Sequence, residues 1–127
     1  MNKELDICWQ IAGEGCECYV IAGPAGDNDG ELAEEAGIIH VYLSISGSIY
    51  LYRMYVEPAW RRLGVGTKLL EGVETWGRLF GARGMETDIA PWLGEAERES
   101  VMTFLSKRGW VVDRKTLQAE KHLSELR

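Results

Sequence analysis

A chain of 127 residues, with 46% hydrophobic and 27% charged side chains, is long enough for one packed core and too short for a separate substrate domain. A formal net charge of −6 argues against general nucleic-acid binding, which normally requires a basic surface. No apolar run approaches the length of a membrane span, and the first residues lack a hydrophobic signal core. We therefore expect one cytoplasmic domain, residues 1–127, with no nucleic-acid and no membrane partner.

The first half of the chain is rich in β-branched and aromatic residues, which favour strands. Gly47-Ser48 predicts a tight turn between two of these strands, and Pro58 ends the last one because it lacks a backbone donor. The short connections predict an antiparallel meander. Its strands are predicted at residues 5–11, 18–22, 37–46 and 48–56.

An acidic, glycine-rich stretch interrupts this meander at residues 23–37. A solvated loop is the simpler interpretation. The alternative is that its carboxylates attract a cationic acceptor such as a lysine-bearing peptide or a polyamine. The carboxylates belong to Asp27, Asp29, Glu31, Glu34 and Glu35.

The second half of the chain alternates between helical and strand patterns. Apolar residues spaced three or four apart, from Val65 to Phe80, predict an amphipathic helix, and a second apolar face predicts another helix that Gly109 ends. Together the elements predict a mixed α/β fold of the α+β kind, with a largely antiparallel, twisted sheet of about six to seven strands. The helices are predicted at residues 63–80 and 95–107, and the strands at residues 85–90, 110–114 and 116–122.

The cysteines and histidines offer no metal site. Cys8, Cys16 and Cys18 are an odd set that cannot all pair internally, and Cys16-Glu17-Cys18 lacks companion ligands because the only histidines are His40 and His122. We expect reduced, partly buried thiols and no metal.

The turn between the fourth strand and the first helix has the composition of a phosphate site. Gly64 and Gly66 fall at the first turn of the helix, where unpaired N–H groups and the positive end of the helix dipole attract anions. Arg61, Arg62 and Lys68 supply positive charge. The bland alternative is a glycine-rich helix start without a ligand, but helices usually begin with Ser, Thr, Asp or Asn caps.

Three phosphate-binding patterns compete for this turn. A Walker loop would end in Gly-Lys-Ser/Thr, whereas Gly66-Thr67-Lys68 reverses the last two residues. A dinucleotide fingerprint would need a third glycine at the position of Leu69, although Glu86 and Asp88 lie at a suitable distance for a ribose contact. The third pattern, Arg/Gln-x-x-Gly-x-Gly/Ala, matches residues 61–66.

This third pattern resembles the pyrophosphate-binding turn of the GNAT superfamily of acyl-coenzyme A N-acetyltransferases. Further similarity lies in residues 104–110 and 117–123, so the resemblance spans roughly residues 40–123. Only Arg62 departs from the family's turn, where glycine is frequent. The matching residues are Val56, Pro58, Trp60, Arg61, Gly64, Gly66 and Thr67.

The resemblance implies a fold in which residues 50–56 and 85–90 separate to admit the pantetheine arm of acetyl-CoA, the acyl donor. Backbone groups near Met54 and Val56 would bind the pantetheine amides, and Ser100 and Leu105 would lie on the other side of the cofactor. The cofactor-binding residues implied in this way are Met54, Tyr55, Val56, Arg61, Arg62, Leu63, Gly64, Val65, Gly66, Thr67, Ser100 and Leu105.

Direct acetyl transfer needs a neutral amine, a donor for the developing oxyanion and a proton for the leaving thiolate. The family's usual tyrosine acid is replaced here by Leu105, so we take Tyr55, Glu57 and Asp88 as the catalytic candidates. Strand alternation predicts that Tyr50 and Tyr52 share one face of the sheet while Tyr55 takes the other. For each tyrosine, packing in the sheet is the simpler interpretation.

The front of the chain departs from the family, because only residues 12–17 separate the first two predicted strands where relatives have two helices. We expect an open acceptor side, suited to a protein lysine or N-terminus rather than an enclosed metabolite. A polyamine or other small amine is the next acceptor. A non-catalytic acyl-CoA-binding module is the alternative function. The acidic stretch at residues 23–37 or a homodimer partner would supply the missing wall.

Overall fold

The structure of the chain, a computed structural model, describes residues 7–13, 17–26, 31–90 and 93–123. Seven strands and two helices lie within these residues, with a short 3-10 turn at Pro58–Trp60 between β4 and α1. No helix of this part of the chain is both long and apolar enough to cross a bilayer. The elements are β1 (Ile7–Ala12), β2 (Glu17–Pro24), β3 (Gly37–Leu43), β4 (Ser48–Val56), α1 (Val65–Leu79), β5 (Gly84–Asp88), α2 (Glu95–Lys107), β6 (Val111–Asp113) and β7 (Gln118–His122).

The strands form one sheet in the order β1-β2-β3-β4-β5-β7-β6. Every adjacent pair is antiparallel except β4 and β5, which are joined through the crossover helix α1. The predicted fold class, a mixed and largely antiparallel sheet with two helices, is confirmed, as is the antiparallel meander of the first four strands. The parallel pair β4–β5 therefore interrupts the antiparallel order of the sheet.

Both helices pack on one face of the sheet, which carries the core. The strands contribute alternate residues such as Val20, Ile39 and Val41, all with no exposed surface, while α1 contributes its apolar stripe. Two glycines of α1 allow a close approach, because a Cβ at Gly77 would lie 2.4 Å from a methyl carbon of Ile49 and one at Gly72 would lie 2.6 Å from a methyl carbon of Val20. The buried residues of α1 are Val65, Leu69, Leu70, Gly72, Val73, Trp76 and Gly77.

Several predicted boundaries differ from the structure. Strand β3 ends at Leu43 because residues 44–47 form a turn that Gly47 closes at φ +89°. Helix α1 begins at Val65 rather than at residue 63, since Gly64 adopts a left-handed conformation. The last two strands are shorter than predicted because residues 114–117 form a turn with Leu117 at φ +59°.

The first predicted strand begins at residue 5, outside the described residues, and within them β1 extends to Ala12. Strand β5 begins at Gly84 and ends at Asp88, two residues short of the predicted end at 90. Helix α2 has the predicted bounds.

A β-bulge in β4 overturns the prediction for its tyrosines. His40 is opposite Arg53 and Val41 is opposite Leu51, so Tyr52 is an extra residue in β4. The extra residue shifts the alternation, so that Ile49 and Leu51 before it and Met54 and Val56 after it all lie on the core face. Tyr55 is therefore opposite Ile38, on the same face as Tyr50 and Tyr52 rather than on the other.

Candidate active site

Strands β4 and β5 pair over only part of their length and then separate. Their register runs from Ser48 opposite Gly84 to Leu51 opposite Thr87, and no pairing follows within the described residues. At the last pair the buried Thr87 hydroxyl donates to the Leu51 carbonyl oxygen at 2.8 Å. Beyond it lies a groove of about 600 Å³, which we call the notch. Its lining residues are Tyr19, Ile38, His40, Leu51, Tyr52, Arg53, Met54, Tyr55, Thr87, Asp88, Ile89, Ala90, Leu93, Val101 and Leu105.

The end of β4 directs backbone groups toward the notch. The Glu57 N–H donates to the Ala36 carbonyl oxygen at 2.8 Å, which fixes the alternation of the ladder between β3 and β4. Because hydrogen-bonding groups alternate from one side of a strand to the other, those of Met54 and Val56 point away from β3. The peptide groups of these two residues therefore face the side from which β5 has withdrawn.

The first turn of α1 lies at the end of β4 and carries no cap. Within the part of the chain that the structure describes, the N-cap residue Gly64 has φ +89° and makes no side-chain cap hydrogen bond, and no acidic residue lies in the first turn. A Cβ at Gly64 would meet nothing within 4 Å, so the space beside it is open. The donors of the first turn thus remain available to an anion, which the helix dipole also favours.

Two arginines flank this turn in different ways. Arg61 donates from Nε to the Val56 carbonyl oxygen at 2.9 Å, and its guanidinium carbon lies 5.7 Å from the centre of the Tyr55 ring. Arg62 has φ +67°, a conformation that L side chains rarely adopt. That strain explains why a glycine suits this position, and the exposed Arg62 side chain adds positive charge beside the helix N-terminus.

Helix α2 supports the same turn from the other side. Arg108 donates from Nε and Nη2 to the Thr67 hydroxyl oxygen at 3.0 and 2.6 Å, and its guanidinium carbon lies 4.5 Å from the centre of the Phe104 ring. A Cβ at Gly66 would lie 3.1 Å from Phe104. Arg108 has no sequence signal for this role, because the contact joins residues 41 positions apart.

The three catalytic candidates are not brought together. Tyr55 and Asp88 line the notch, whereas Glu57 is exposed and lies outside its lining. The Tyr55 side chain is 48% exposed beneath Arg61. Only Asp88 lies where β5 leaves β4 and also has hydrogen-bonding partners there.

Asp88 anchors a small polar network at the mouth of the notch. Its Oδ2 accepts a hydrogen bond from the Tyr50 hydroxyl at 2.6 Å, and its Oδ1 accepts one from Gln118 Nε2 at 3.3 Å. The hydrogen bond to Asp88, with burial as the next cause, raises the pKa of Tyr50 to about 12. Tyr50 therefore stays protonated at neutral pH and holds the carboxylate in place.

The sheet face opposite the helices carries a cluster of aromatic rings, which we call the aromatic shelf. His40 stacks on Tyr19 at 4.3 Å between ring centres, and Tyr52 lies 4.8 Å from His40. Tyr42 continues the cluster toward Tyr50 at 5.6 Å. Among the described residues neither α1 nor α2 covers this face, so in this part of the chain the shelf is open on the far side of the notch from the helices.

Other predicted residues are placed as follows. Leu105 is 3% exposed and lines the notch from α2, while Ser100 is exposed and outside the lining, which includes its neighbour Val101 instead. Burial raises the pKa of the Cys18 thiol to about 11, which leaves it a poor nucleophile, and Cys16 lies outside the described residues. No group of three or more His, Cys, Asp or Glu side chains in the described ranges is placed to hold a metal.

Comparison with known proteins identifies this arrangement. A family described as an acetyltransferase (GNAT) domain matches residues 14–112. No curated protein sequence matches the chain. Two similar solved structures are an acetyltransferase of the GNAT family from Staphylococcus aureus and the PaiA N-acetyltransferase from Thermoplasma acidophilum, the second in complex with coenzyme A.

The similarity to these structures lies in the fold. The S. aureus protein is 18% identical with a TM-score of 0.64, over 85% of this chain and 68% of that one. The T. acidophilum protein is 19% identical with a TM-score of 0.65, over 84% of this chain and 61% of that one. With a sheet that separates between β4 and β5, an uncapped glycine turn at the start of α1 and a family match over most of its length, the chain belongs to the GNAT acetyltransferase family.

Proposed function

We propose that this protein transfers an acetyl group from acetyl-CoA to a primary amine, with a lysine or N-terminus of a protein as the preferred acceptor. The single observation that carries the proposal is the separation of β4 from β5 after Leu51 and Thr87, directly beside the uncapped start of α1. Acetyl-CoA, an extended molecule with phosphates toward one end, fits such a site. The notch would hold its pantetheine arm and the helix N-terminus would bind its phosphates.

The donor would be held by backbone groups more than by side chains. The first-turn N–H groups of Val65, Gly66 and Thr67 would bind the pyrophosphate, with Arg61 and Arg62 supplying positive charge. The peptide groups of Met54 and the N–H of Val56 would pair with the pantetheine amides as a strand would, while the Val56 carbonyl oxygen keeps its hydrogen bond from Arg61. Leu105 and Val101 would cover the arm from the side of α2.

In the reaction, the amine nitrogen bonds to the thioester carbonyl carbon and the carbon–sulfur bond breaks. A backbone N–H at the end of β4 would stabilise the oxyanion, and the proton lost by the amine would pass to Asp88, directly or through water. The leaving thiolate takes a proton from solvent water, because Leu105 has none to give. Tyr50 acts as a positioning residue, because its hydroxyl fixes the Asp88 carboxylate at 2.6 Å.

The open aromatic shelf supports a protein acceptor over an enclosed small molecule. Pockets for small ligands usually surround most of the ligand surface, whereas within the described residues only the sheet itself forms this side of the site. A lysine presented on a protein surface needs access from one side only. Its long side chain would lie along the shelf and place its amine near Asp88.

A non-catalytic acyl-CoA-binding module is the second candidate, and Leu105 is the observation that favours it. Its buried side chain lines the notch and has no proton to give to a leaving thiolate. Binding would then occur without turnover.

The proposal is tested by thermal shift and then by turnover. We expect a saturable rise in Tm with acetyl-CoA and coenzyme A and none with NAD, since a ligand at about 100 times its Kd stabilises by about 2.7 kcal/mol. Arg61→Gln should weaken this binding by about tenfold or more. Arg83→Gln is the matched control, because Arg83 is also exposed and also donates to a carbonyl oxygen, that of Ser46, away from the notch.

The outcomes separate the candidates. Acetyl-CoA binding with transfer to a lysine peptide supports the enzyme, and binding without transfer to any amine supports the binding module. A Tm that responds to NAD and not to acetyl-CoA would overturn both, and equal losses in the two arginine variants would overturn the assignment of the turn.

A further inference from the structure

A second groove, of about 330 Å³, lies beside the notch and is lined by acidic side chains. Strands β5, β7 and β6 form its floor, and it shares Thr87 and Asp88 with the notch. We call it the acidic groove. Its lining residues are Tyr50, Glu86, Thr87, Asp88, Val111, Asp113, Gln118, Ala119 and Glu120.

The carboxylates of the acidic groove repel one another in the free protein and so lower its stability. Glu86 is directly opposite Glu120 in the pairing of β5 with β7, and both side chains are exposed. Like charges directly opposite each other in a sheet are destabilising. Neither carboxylate forms an ion pair within the described part of the chain.

Asp113 adds a third carboxylate that is held ionised. Its Oδ1 accepts hydrogen bonds from the backbone N–H groups of Lys115 at 2.9 Å and Thr116 at 3.2 Å. These bonds lower the pKa of Asp113 below its ordinary value. Asp113 therefore stays ionised at neutral pH, and a bound cation would relieve the repulsion between Glu86 and Glu120.

The acidic groove continues into the aromatic shelf. Tyr50 lines the groove and its ring lies 5.5 Å from that of Tyr52, with Tyr42 beside both. Aromatic faces attract cations as well as apolar stems. Arg53, exposed on the same strand, also lines the notch, and its positive charge is opposite in sign to the carboxylates of the acidic groove.

We propose that the acidic groove binds a second cationic side chain of a peptide acceptor, next to the lysine that is acetylated, so that the enzyme selects lysines in a basic sequence. This inference rests on the proposed function, because it takes the notch as the place where the amine reacts. The second cation lies between Glu86 and Glu120, while the reacting amine lies beside Asp88.

A peptide fits this surface better than the other occupants. From β2 to β7 the open face crosses four strand-to-strand steps, about 19 Å, which about six residues of extended peptide would span. A short polyamine would cover only part of it and be enclosed on one side. A second copy of the chain would bring the same carboxylates toward each other in a protein whose net charge is −6.

The test uses two blocked hexapeptides that contain one lysine, flanked either by arginines or by alanines. Binding is measured by fluorescence anisotropy with the protein saturated with coenzyme A, at low salt, for the wild type and the double variant Glu86→Gln/Glu120→Gln. The control, Glu34→Gln/Glu35→Gln, removes the same charge from the acidic loop, which is exposed and outside both grooves. Spermidine serves as the polyamine probe.

We expect the wild type to bind the arginine-flanked peptide about tenfold more tightly than the alanine-flanked one, and the groove variant to lose most of that preference. The control variant keeps it. Without ligand, the groove variant should have a Tm about 1–3 °C above the wild type, because the repulsion between Glu86 and Glu120 is gone. A simple loss of folding would lower the Tm instead.

Besides an absence of any preference for the arginine-flanked peptide, three results would overturn the inference. The preference could be lost equally in both double variants, which would assign it to net charge. Spermidine binding, and not peptide binding, could depend on Glu86 and Glu120, which would assign the groove to a small molecule. Sedimentation could show a dimer that only the groove variant disrupts, which would assign it to a second copy.

The proposed function is tested separately, by measuring acetyl transfer to the alanine-flanked peptide. If the wild type transfers acetyl to no amine, the proposed function fails while the anisotropy still reports on the groove. If transfer occurs and the arginines confer no preference, only the inference fails.

Discussion

The hydroxyl of Thr87 donates to the carbonyl oxygen of Leu51 at the last register pair before β4 and β5 separate. A side chain thus completes the hydrogen bonding of a strand that has lost its neighbour. The bond is buried, so a Leu51 carbonyl without it would be left without a partner in the core.

Thr87→Val should therefore destabilise the protein by about 1–2 kcal/mol, because valine keeps the shape of the side chain and removes the donor. Urea unfolding measures the effect. Thr75→Val is the matched control, since Thr75 also donates from its hydroxyl to a carbonyl oxygen, that of Glu71, but on an exposed helix surface. We expect the control to stay within about 0.5 kcal/mol of the wild type, and equal effects in the two variants would contradict the argument.

Arg62→Gly should stabilise the fold by about 0.5 kcal/mol while weakening acetyl-CoA binding. Relief of the left-handed conformation at φ +67° stabilises, and the greater freedom of glycine in the unfolded chain offsets part of that gain. Arg62→Ala is the control, because it removes the same guanidinium but keeps the Cβ and therefore the strain. The argument fails if both variants have the same unfolding free energy.

The Tyr50 hydroxyl should contribute to stability in a pH-dependent way. Its folded pKa, about 12, lies above the ordinary value of 10.0, so the native state holds the proton more tightly than the unfolded state does. The contribution is therefore complete below about pH 10 and is lost as the pH rises from 10 toward 12.

Tyr50→Phe tests this by urea unfolding between pH 7 and 11. The gap in stability between the wild type and the variant should be constant up to about pH 9.5 and then narrow. A gap that widens with pH would show that Tyr50 ionises more readily in the folded state.

Leu105→Tyr should restore a proton donor to the notch. Both Leu105→Tyr and Leu105→Phe enlarge a buried side chain, and each should cost about 1–3 kcal/mol of stability. If thiolate protonation limits the rate, kcat for the tyrosine variant should exceed that of the phenylalanine variant by about tenfold or more. Equal kcat values would show that the thiolate leaves without an acid from the protein at this position.

Much of the fold follows from patterns within short stretches of sequence. The spacing of apolar residues from Val65 to Phe80 is enough to predict α1, and the run of β-branched and aromatic residues before Pro58 is enough to predict β4. Both signals, the apolar periodicity and the backbone donor that proline lacks, act within one short stretch of chain. The turn at residues 114–117 was missed because Leu117, unlike glycine, gives no signal of a positive φ. Thr87 did carry a signal, since it is a polar residue alternating with Met85 on the core face.

The contacts that complete the site depend on partners far away in sequence. The bulge at Tyr52 arises from the match between β3 and β4, and nothing in β4 alone marks it. Arg108 reaches Thr67 across 41 positions, and Tyr50 reaches Asp88 across 38. Such contacts follow from the three-dimensional arrangement of the elements, which local patterns do not contain.

Because of the extra residue in β4, this sheet cannot have both regular strand pairing and the notch on which activity depends. If Tyr52 were deleted, Leu51, Met54 and Val56 would keep their places on the core face, because the strand would simply resume its two-residue repeat. A straight β4 would then continue its ladder with β5, and the peptide groups of Met54 and Val56 would form hydrogen bonds to β5 instead of facing the notch. The shortened protein would have a more perfect sheet and no opening through which two substrates could meet.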